Sequence, residues 1–150
     1  MPDRLVVRKA GLKDAGMLAP LFDGYRRFYR QPSDLPAAEG FLRSRLARRE
    51  SVVFLAERGR HVLGFTQLYP TFSSVAMRRL WILNDLYVVP EGRRQGVAAA
   101  LMARARRLAI ETGAEGLFLE TAVKNKAARR LYEKLGWKRE REFYRYNQDL

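Results

Sequence analysis

The feature that most constrains the fold is a long apolar strand pattern that runs into a basic turn and then into a helix pattern. Residues 80–89, LWILNDLYVV, alternate between two faces that are both mostly apolar, which predicts a central strand covered on both sides. Pro90 ends this strand, because proline cannot donate to a sheet ladder. A helix is predicted over residues 96–112, so a short glycine-containing turn joins the strand to the helix.

Strand and helix patterns alternate after residue 80, whereas the first half of the chain predicts helices and a hairpin. Pro20 and Gly24 interrupt the helix predicted over residues 14–29, which is typical of a kink or a break. The other predicted elements are a helix over 36–49, a hairpin of strands 51–56 and 62–69 closed by Pro70, a strand over 117–121, a helix over 125–135 and a final strand over 138–146. The sequence therefore predicts one α/β domain over residues 1–150 with a mixed sheet.

The absence of cysteine and the single histidine narrow the possible chemistry. The chain has 150 residues, no cysteine and one histidine, His61. Thiolate nucleophiles and cysteine metal sites are therefore excluded, and serine–histidine–aspartate or zinc catalysis is not expected. No segment approaches the roughly 18 apolar residues that span a bilayer. We expect a cytoplasmic protein that uses no metal and no membrane.

The net charge of +13 leaves two interpretations open. Clustered lysine and arginine would indicate binding to nucleic acid, because they neutralise phosphates. The basic residues are spread along the chain, however, with acidic residues among them in most segments. This pattern favours solvated basic surfaces over a nucleic-acid partner.

The turn between the predicted strand and helix is suited to an anion. It reads Arg93-Arg94-Gln95-Gly96-Val97-Ala98, and the first turn of a helix presents unpaired N–H groups and the positive end of its dipole. Gly96 has no side chain, so a pyrophosphate could approach the backbone closely. The glycine pattern fits neither a Walker P-loop nor a Rossmann fingerprint. An ordinary turn with solvated arginines remains the alternative at this point.

A second polar pattern lies on the helix predicted over residues 125–135. Asn125 and Tyr132 are seven residues apart, which is two helical turns, about 10 Å along one face. An amide and a phenol on the same face could line one cleft. A tyrosine in such a position is more often a packing residue than a catalyst.

Together the two stretches resemble the GNAT superfamily of acetyl-CoA-dependent N-acetyltransferases. The first stretch matches an Arg/Gln-x-x-Gly-x-Gly/Ala signature through Arg93, Gly96 and Ala98. The second matches the family's Asn-x-x-Ala-x-x-Leu-Tyr-Glu-Lys-Leu-Gly-aromatic signature with Asn125, Ala128, Leu131, Tyr132, Glu133, Lys134, Leu135, Gly136 and Trp137. The resemblance implies a single-domain GNAT-like fold, in which a mixed, mostly antiparallel sheet is splayed between two parallel strands and flanked by helices.

The resemblance also implies where acetyl-CoA would bind. The backbone amides of residues 94–99 would hold the pyrophosphate, and Val88 and Val89 would pair with the pantetheine amides. The implied cofactor-binding residues are Leu86, Tyr87, Val88, Val89, Arg93, Arg94, Gln95, Gly96, Val97, Ala98, Ala99, Asn125, Ala128, Arg129 and Tyr132. The acetyl group would lie between strands 86–89 and 117–121.

For catalysis, the resemblance implies direct attack of a neutral amine on the acetyl group. Tyr132 would protonate the leaving thiolate, since the pKa values of a phenol and a thiol are close enough for transfer. Many polyamine-acetylating members carry Glu-Asp where this chain has Asn84-Asp85, and Asn84 cannot remove a proton. Either water relays the proton to Asp85 or Glu120, or the amine arrives neutral. A structural role for Asp85 is the alternative.

The acceptor pocket of this family is built from the first helices and the hairpin region. The implied acceptor-binding residues are Tyr25, Arg26, Tyr29, Asp34 and Asn84. The motif style is closest to the histone- and polyamine-acetylating branch, so the expected acceptor is a primary amine such as a polyamine, a lysine or another small amine, including a peptide amine. An amine bearing a carboxylate held by Arg26 is the rival acceptor.

Two further expectations concern partners. A final strand over residues 138–146 at the end of such sheets often meets a second subunit, so we expect a homodimer, with a solvated, charge-protected edge as the alternative. The competing function is an acyl-CoA-binding or nucleic-acid-associated module with little catalytic activity.

Overall fold

The computed structural model describes residues 3–150 and shows a five-stranded mixed sheet with four α-helices. The elements are β1 Leu5–Lys9, α1 Ala15–Phe28, α2 Leu35–Ala47, β2 Val52–Arg58, β3 His61–Ser73, β4 Arg78–Val88, α3 Val97–Glu111, β5 Gly116–Phe118 and α4 Lys126–Lys134. The strand order is β1-β2-β3-β4-β5, and every neighbouring pair is antiparallel except β4 and β5. The predicted mixed, mostly antiparallel sheet is therefore confirmed.

The chain divides into two compact units, Met1–Glu120 and Thr121–Leu150. The first, called unit 1 below, holds the whole sheet and α1 to α3. The second, unit 2, holds α4, which buries no residue. The single domain expected over residues 1–150 stays a prediction.

The two parallel strands pair only at one end. Leu80–Ile82 of β4 pair with Gly116–Phe118 of β5, whereas β4 itself continues to Val88. Among the described residues, no strand pairs with the β5 side of β4 beyond Ile82. This is the splay that the resemblance implied, and it leaves backbone groups at one edge of β4 available for a ligand.

The core of unit 1 lies between the sheet and helices α1 and α2. Its centre consists of fully buried residues from both helices and from β2 and β3, namely Leu18, Leu42, Val53, Leu55 and Phe65. Gly24 is also buried. A Cβ at this position would lie 2.8 Å from the Tyr87 hydroxyl, so the absence of a side chain lets α1 pack directly on β4.

Helices cover both faces of β4. On one face, Trp81 Nε1 donates to Thr112 Oγ1 at the end of α3 at 2.9 Å. On the other face, Tyr87 packs against the core that α1 and α2 form with the sheet. The prediction that both faces are covered is therefore confirmed, although residues 86–89 are only half-buried.

Proline misled one boundary prediction in the first half of the chain. The helix predicted over residues 14–29 is confirmed as α1, Ala15–Phe28, and Pro20 does not break it. β3 continues through Pro70 to Ser73 instead of ending there. The pairing of β3 with β2 stops at Leu68, which lies opposite Val52. Pro70, which has no N–H, therefore lies in a part of β3 that pairs with β4 alone.

The predicted final strand is wrong. Residues 138–146 have no regular secondary structure, and β5 is shorter than the predicted 117–121. A period-two pattern fixes the faces that side chains would take in a strand, but a strand also needs a neighbouring edge to pair with. Within the described residues, 138–150 pair with no strand. The homodimer that rested on this strand stays a prediction.

Candidate active site

A β-bulge in β4 brings a buried polar network to the middle of the sheet. Gln67 pairs with Asp85 and Leu68 with Leu83, so Asn84 is the extra residue. The Asp85 side chain accepts hydrogen bonds from Gln67 Nε2 at 2.6 Å and from Asn84 Nδ2 at 2.8 Å. Thr66 Oγ1 donates to the Asp85 carbonyl at 2.8 Å. The bulge thus places a carboxylate inside the sheet and fixes both of its oxygens.

Burial controls the protonation of this carboxylate. Asp85 is 2% exposed, and this burial raises the pKa of its carboxyl above the ordinary value. Hydrogen bonds from the side chains of Asn84, Gln67 and Tyr25 oppose the increase in pKa. Gln67 Oε1 is buried without a hydrogen-bond partner. The network is therefore a polar site with remaining acceptor capacity inside an apolar sheet.

The structure brings three of the five predicted acceptor residues together. The Tyr25 hydroxyl donates to the Asn84 carbonyl at 3.1 Å, and the Tyr29 ring lies 5.1 Å from the Tyr25 ring. The other two make local contacts: Arg26 Nη1 donates to the Pro32 carbonyl at 3.4 Å, and Asp34 caps α2. Tyr25, Tyr29 and Asn84 therefore form one group beside Asp85.

Asp23 is a residue that sequence reasoning missed. Its carboxylate is 3% exposed and accepts from the Asp34 backbone N–H at 2.7 Å and from Ser33 Oγ at 2.8 Å, and it pairs with Arg27 at 3.3 Å. These bonds hold the α1–α2 loop that follows Tyr29. A carboxylate on the apolar face of a helix, with a Ser-Asp turn shortly after it, was the available signal.

Replacing Asp23 by Asn is expected to loosen this loop. One of the two hydrogen bonds from Ser33 and Asp34 is lost, because an amide offers a single acceptor oxygen, and the free energy of unfolding falls by about 1–3 kcal/mol. The Michaelis constant for the acceptor amine rises, while that for acetyl-CoA stays unchanged. Thermal unfolding and steady-state kinetics measure these effects.

Asp14→Asn is the matched control, since Asp14 is a second buried aspartate at the other end of α1. Its carboxylate accepts from Arg8 at 3.1 Å and from the Gly11 N–H at 2.8 Å. The Arg8 guanidinium lowers the pKa of Asp14, and the Asp34 N–H lowers that of Asp23. Both aspartates therefore stabilise the fold above the ordinary pKa of about 3.9 and lose this effect as pH falls through their lower folded values. Equal changes in the acceptor Michaelis constant in both variants would contradict a positioning role for Asp23.

The predicted anion turn leads directly into α3. Arg94 and Gly96 both have positive φ, 62° and 78°, which the sequence analysis did not predict, and Gly96 is the N-cap of the 15-residue α3. No side chain of the described residues caps this helix end, so the first N–H groups at Val97, Ala98 and Ala99 have no partner within the helix. A Cβ built on Gly96 meets no atom within 4 Å. The helix N-terminus therefore opens onto free space.

Side chains around the turn hold it in shape. Gln95 Nε2 donates to the Glu91 carbonyl at 2.9 Å, and Gln95 Oε1 accepts from Arg58 of β2. Arg93 Nε donates to the Val88 carbonyl at 3.1 Å, with its guanidinium 6.0 Å from the centre of the Tyr87 ring. Sequence reasoning missed Arg58, because only the fold brings β2 to the turn.

One predicted cofactor contact has no free backbone group. The Val89 N–H donates to the Leu63 carbonyl at 2.9 Å, and the Val89 carbonyl accepts from Gly92 at 2.9 Å. Val88 is different, since its carbonyl accepts from the exposed Arg93 side chain, which a ligand can displace. Val88 is thus better placed than Val89 to bind a ligand at the edge of β4.

Gly96→Ala tests the anion turn. A methyl group at positive φ costs about 1 kcal/mol of strain, and it would occupy open space at the start of α3 that the pyrophosphate needs. We expect the dissociation constant for acetyl-CoA to rise about tenfold, which corresponds to roughly 1.4 kcal/mol. Isothermal titration calorimetry measures this change.

Gly113→Ala at the other end of α3 is the matched control. Gly113 also has positive φ, 66°, and a Cβ there also meets nothing within 4 Å. The two variants should therefore lose similar unfolding free energy, while Gly113→Ala leaves acetyl-CoA affinity unchanged. Equal affinity in both variants would mean that the turn holds no part of the cofactor.

Unit 2 carries the second group of predicted residues. Asn125 Oδ1 accepts from the Ala128 N–H at 3.2 Å and caps α4, and Arg129 Nη1 donates to the Val123 carbonyl at 3.1 Å. The half-buried Tyr132 ring lies 6.3 Å from the Trp137 ring. The Asn125 side chain thus has a structural role at the helix start, and the Tyr132 ring lies beside that of Trp137.

Glu120, the other carboxylate predicted to take part in proton transfer, is exposed and lies two residues beyond the end of β5 in unit 1.

Among residues 3–150, no three histidine, cysteine, aspartate or glutamate side chains are placed to hold a metal ion. In the same part of the chain, no helix is long and apolar enough to cross a membrane.

Comparison with known proteins shows the class to which this fold and site belong. The acetyltransferase (GNAT) family profile matches residues 18–137. YhfO of Bacillus subtilis strain 168, described as an uncharacterized N-acetyltransferase, is 49% identical over 140 residues, which is 93% of this chain and 94% of that protein. A probable acetyltransferase of Haemophilus influenzae is 32% identical over 71% of this chain and 73% of its own length. The chain belongs to the GNAT family of acetyltransferases.

Solved structures agree with this assignment. The crystal structure of a probable acetyltransferase, 42% identical, has a TM-score of 0.91 and covers 97% of both chains. An aminoglycoside N-acetyltransferase in complex with CoA shares the fold, with a TM-score of 0.82 at 17% identity over 99% of this chain and 97% of its own. The predicted enzyme class is therefore confirmed, and enzymes of the GNAT family use acetyl-CoA. The competing binding-module function is not favoured, and the relatives do not single out the histone and polyamine branch.

Proposed function

We propose that this enzyme transfers the acetyl group of acetyl-CoA directly to a primary amine. The observation that carries the proposal lies within unit 1: the edge of β4 that pairs with no strand of residues 3–150 leads to the start of α3, which no described side chain caps. A ligand with amides at one end and a pyrophosphate at the other matches these two features in order. Acetyl-CoA has this arrangement.

The proposed cofactor contacts follow from the free backbone groups. The N–H groups of Val97, Ala98 and Ala99 point out of the start of α3 and suit the pyrophosphate oxygens. Val88 pairs with a pantetheine amide after the Arg93 guanidinium leaves its carbonyl, and that guanidinium is then available to the phosphates. Leu86 and Tyr87 continue the same edge towards the acetyl group.

The proposed reaction is a single displacement at the acetyl carbonyl carbon. The amine nitrogen forms the new C–N bond, the carbonyl oxygen becomes an oxyanion stabilised by a backbone N–H near Leu86 or Val88, and the C–S bond then breaks. The Tyr132 hydroxyl gives its proton to the departing thiolate. The absence of cysteine from the chain supports direct attack over transfer through an acetyl-cysteine enzyme.

The amine proton leaves through water to Asp85 in this proposal. Asp85 is too buried to touch the amine directly, but the group formed by Tyr25 and Asn84 lies against it and is partly open. Its raised pKa brings the carboxylate closer to neutral pH, which suits a base. Glu120, which lies two residues beyond the end of β5, is the second carboxylate that the resemblance implied, and it serves as the comparison in the experiments below.

Relatives support a primary amine as the acceptor. A thialysine N-epsilon-acetyltransferase of Bos taurus is 33% identical over 53% of this chain and 46% of its own length. A polyamine, a lysine side chain and other small amines all present the required nucleophile. A cytoplasmic location and a homodimer complete the proposal.

Release of CoA from acetyl-CoA tests the proposal. The purified protein is assayed with polyamines, free amino acids, aromatic and aliphatic monoamines, aminoglycosides and basic peptides, and the acetylated amine is identified by mass spectrometry. Turnover of at least one amine class supports the proposal. Binding of acetyl-CoA without turnover of any class counts against it.

A further inference from the structure

The acceptor side of unit 1 carries a continuous series of aromatic rings, and we propose that the acceptor is a monoamine with an aromatic body rather than a polyamine. This inference rests on the proposed acetyl transfer to a primary amine and narrows its substrate class. Three sets of observations support it: the ring series, its link to the Asp85 network, and the charges around it.

The ring series runs from the exposed end of α1 to α2. Successive ring centroids are 5.3 Å apart for Phe28 and Tyr29, 5.1 Å for Tyr29 and Tyr25, 6.3 Å for Tyr25 and Phe22, and 5.6 Å for Phe22 and Phe41. Phe22 is buried, whereas Phe28, Tyr29 and Phe41 are 59%, 45% and 40% exposed. Exposed rings that continue inwards to a buried one offer an aromatic ligand faces and edges for stacking.

Tyr25 connects this series to the proposed reaction site. Its hydroxyl donates to the Asn84 carbonyl at 3.1 Å, and the Asn84 side chain donates to Asp85. An amine placed at this bulge therefore has the Tyr25 ring as its neighbour and the Tyr29 ring one step further out. The acceptor atoms one or two bonds from the amine therefore contact aromatic rings rather than charged side chains.

The charges around the rings argue against a polycation. Between residues 11 and 50 the chain has eight lysines and arginines and five carboxylates. The carboxylates all have partners: Asp14 pairs with Arg8, Asp23 with Arg27, Glu39 with Arg43 and Glu50 with Arg45, and Asp34 caps α2. A second ammonium group on the acceptor would enter a net positive region whose carboxylates are already engaged. A single ammonium on an apolar body avoids this repulsion.

The experiment compares kcat/KM for three primary amines: tyramine, ethylamine and putrescine. Tyramine adds a ring to ethylamine, and putrescine adds a second ammonium on an aliphatic chain. We expect kcat/KM for tyramine to exceed both others by at least about tenfold, the scale of one well-packed ring contact. An equal or higher kcat/KM for putrescine would overturn the inference.

Variants locate the effect on the ring series. Tyr29→Ala should lower the tyramine-to-ethylamine ratio of kcat/KM about tenfold, and Tyr29→Phe, which keeps the ring, should preserve it. Phe72→Ala is the matched control, since Phe72 is an exposed phenylalanine on β3 that contacts the Arg79 guanidinium and does not belong to the ring series. An unchanged ratio in Tyr29→Ala, or an equal fall in Phe72→Ala, would overturn the inference.

The outcomes also separate this inference from the proposed function. Turnover of putrescine but not of tyramine contradicts the aromatic acceptor alone and leaves acetyl transfer standing. Release of CoA with none of the amines in the wider panel contradicts the proposed function itself, and the inference falls with it.

Discussion

Tyr132→Phe lowers kcat by about 10²–10⁴-fold, the range over which general acid catalysis contributes. The variant removes only the hydroxyl, so the ring keeps its packing against Trp137 at 6.3 Å and α4 keeps its Asn125 cap. The dissociation constant for acetyl-CoA should therefore stay close to that of the parent enzyme. Steady-state kinetics and calorimetry measure the two quantities separately.

Tyr144→Phe is the control for this variant. Tyr144 is also in unit 2, but it is 92% exposed and outside any helix or strand. Its phenol has no proposed role, so kcat should not change. If Tyr132→Phe retains full kcat, the proton for the thiolate comes from another donor, and the role implied by the family signature does not apply to this chain.

Asp85→Asn should remove the acidic limb of the pH profile of kcat/KM and lower its plateau by about 10²-fold. Because burial raises the pKa of Asp85, the limb in the parent enzyme should lie above the ordinary aspartate value of about 3.9. Glu120→Gln is the comparison and should leave the limb in place. The opposite result, a limb lost in Glu120→Gln and kept in Asp85→Asn, would assign the base to Glu120.

The same variant has a readout in stability. A carboxyl whose pKa is raised on folding stabilises the fold when protonated, so this contribution is complete below the ordinary pKa and is lost as pH rises through the folded value. The amide that Asp85→Asn introduces stays neutral at every pH and does not undergo this loss. The free energy of unfolding of the parent protein should therefore decrease as pH rises from the ordinary aspartate pKa through the raised folded value. Asp85→Asn should not show this decrease.

Local patterns predicted the elements of the fold well where both the periodicity and the boundary residues agreed. The strand at residues 80–89 and the helix after Gly96 were placed within two residues of β4 and α3. Pro70 failed as a boundary because tolerance of proline in a strand depends on which neighbours flank it. Residues 138–146 failed because pairing is a property of two segments, and the pattern describes one.

The site could be predicted in part for a similar reason. The anion turn is local in sequence, so Arg94 and Gly96 were identified as parts of it, although their positive φ angles were not predicted. Asp23 and Arg58 act through contacts with residues ten and thirty-seven positions away, which no local pattern shows. Asp34 was expected at the acceptor, but its carboxylate caps α2.

A carbon-labelled acetyl group followed through one turnover tests direct transfer to the amine. Enzyme in excess is mixed with labelled acetyl-CoA and an amine that supports CoA release, and label on the amine, on the protein and in free acetate is measured over time by mass spectrometry. We expect the label to pass to the amine without appearing on the protein. Label that first accumulates on the protein, or that appears only as acetate, would contradict direct transfer.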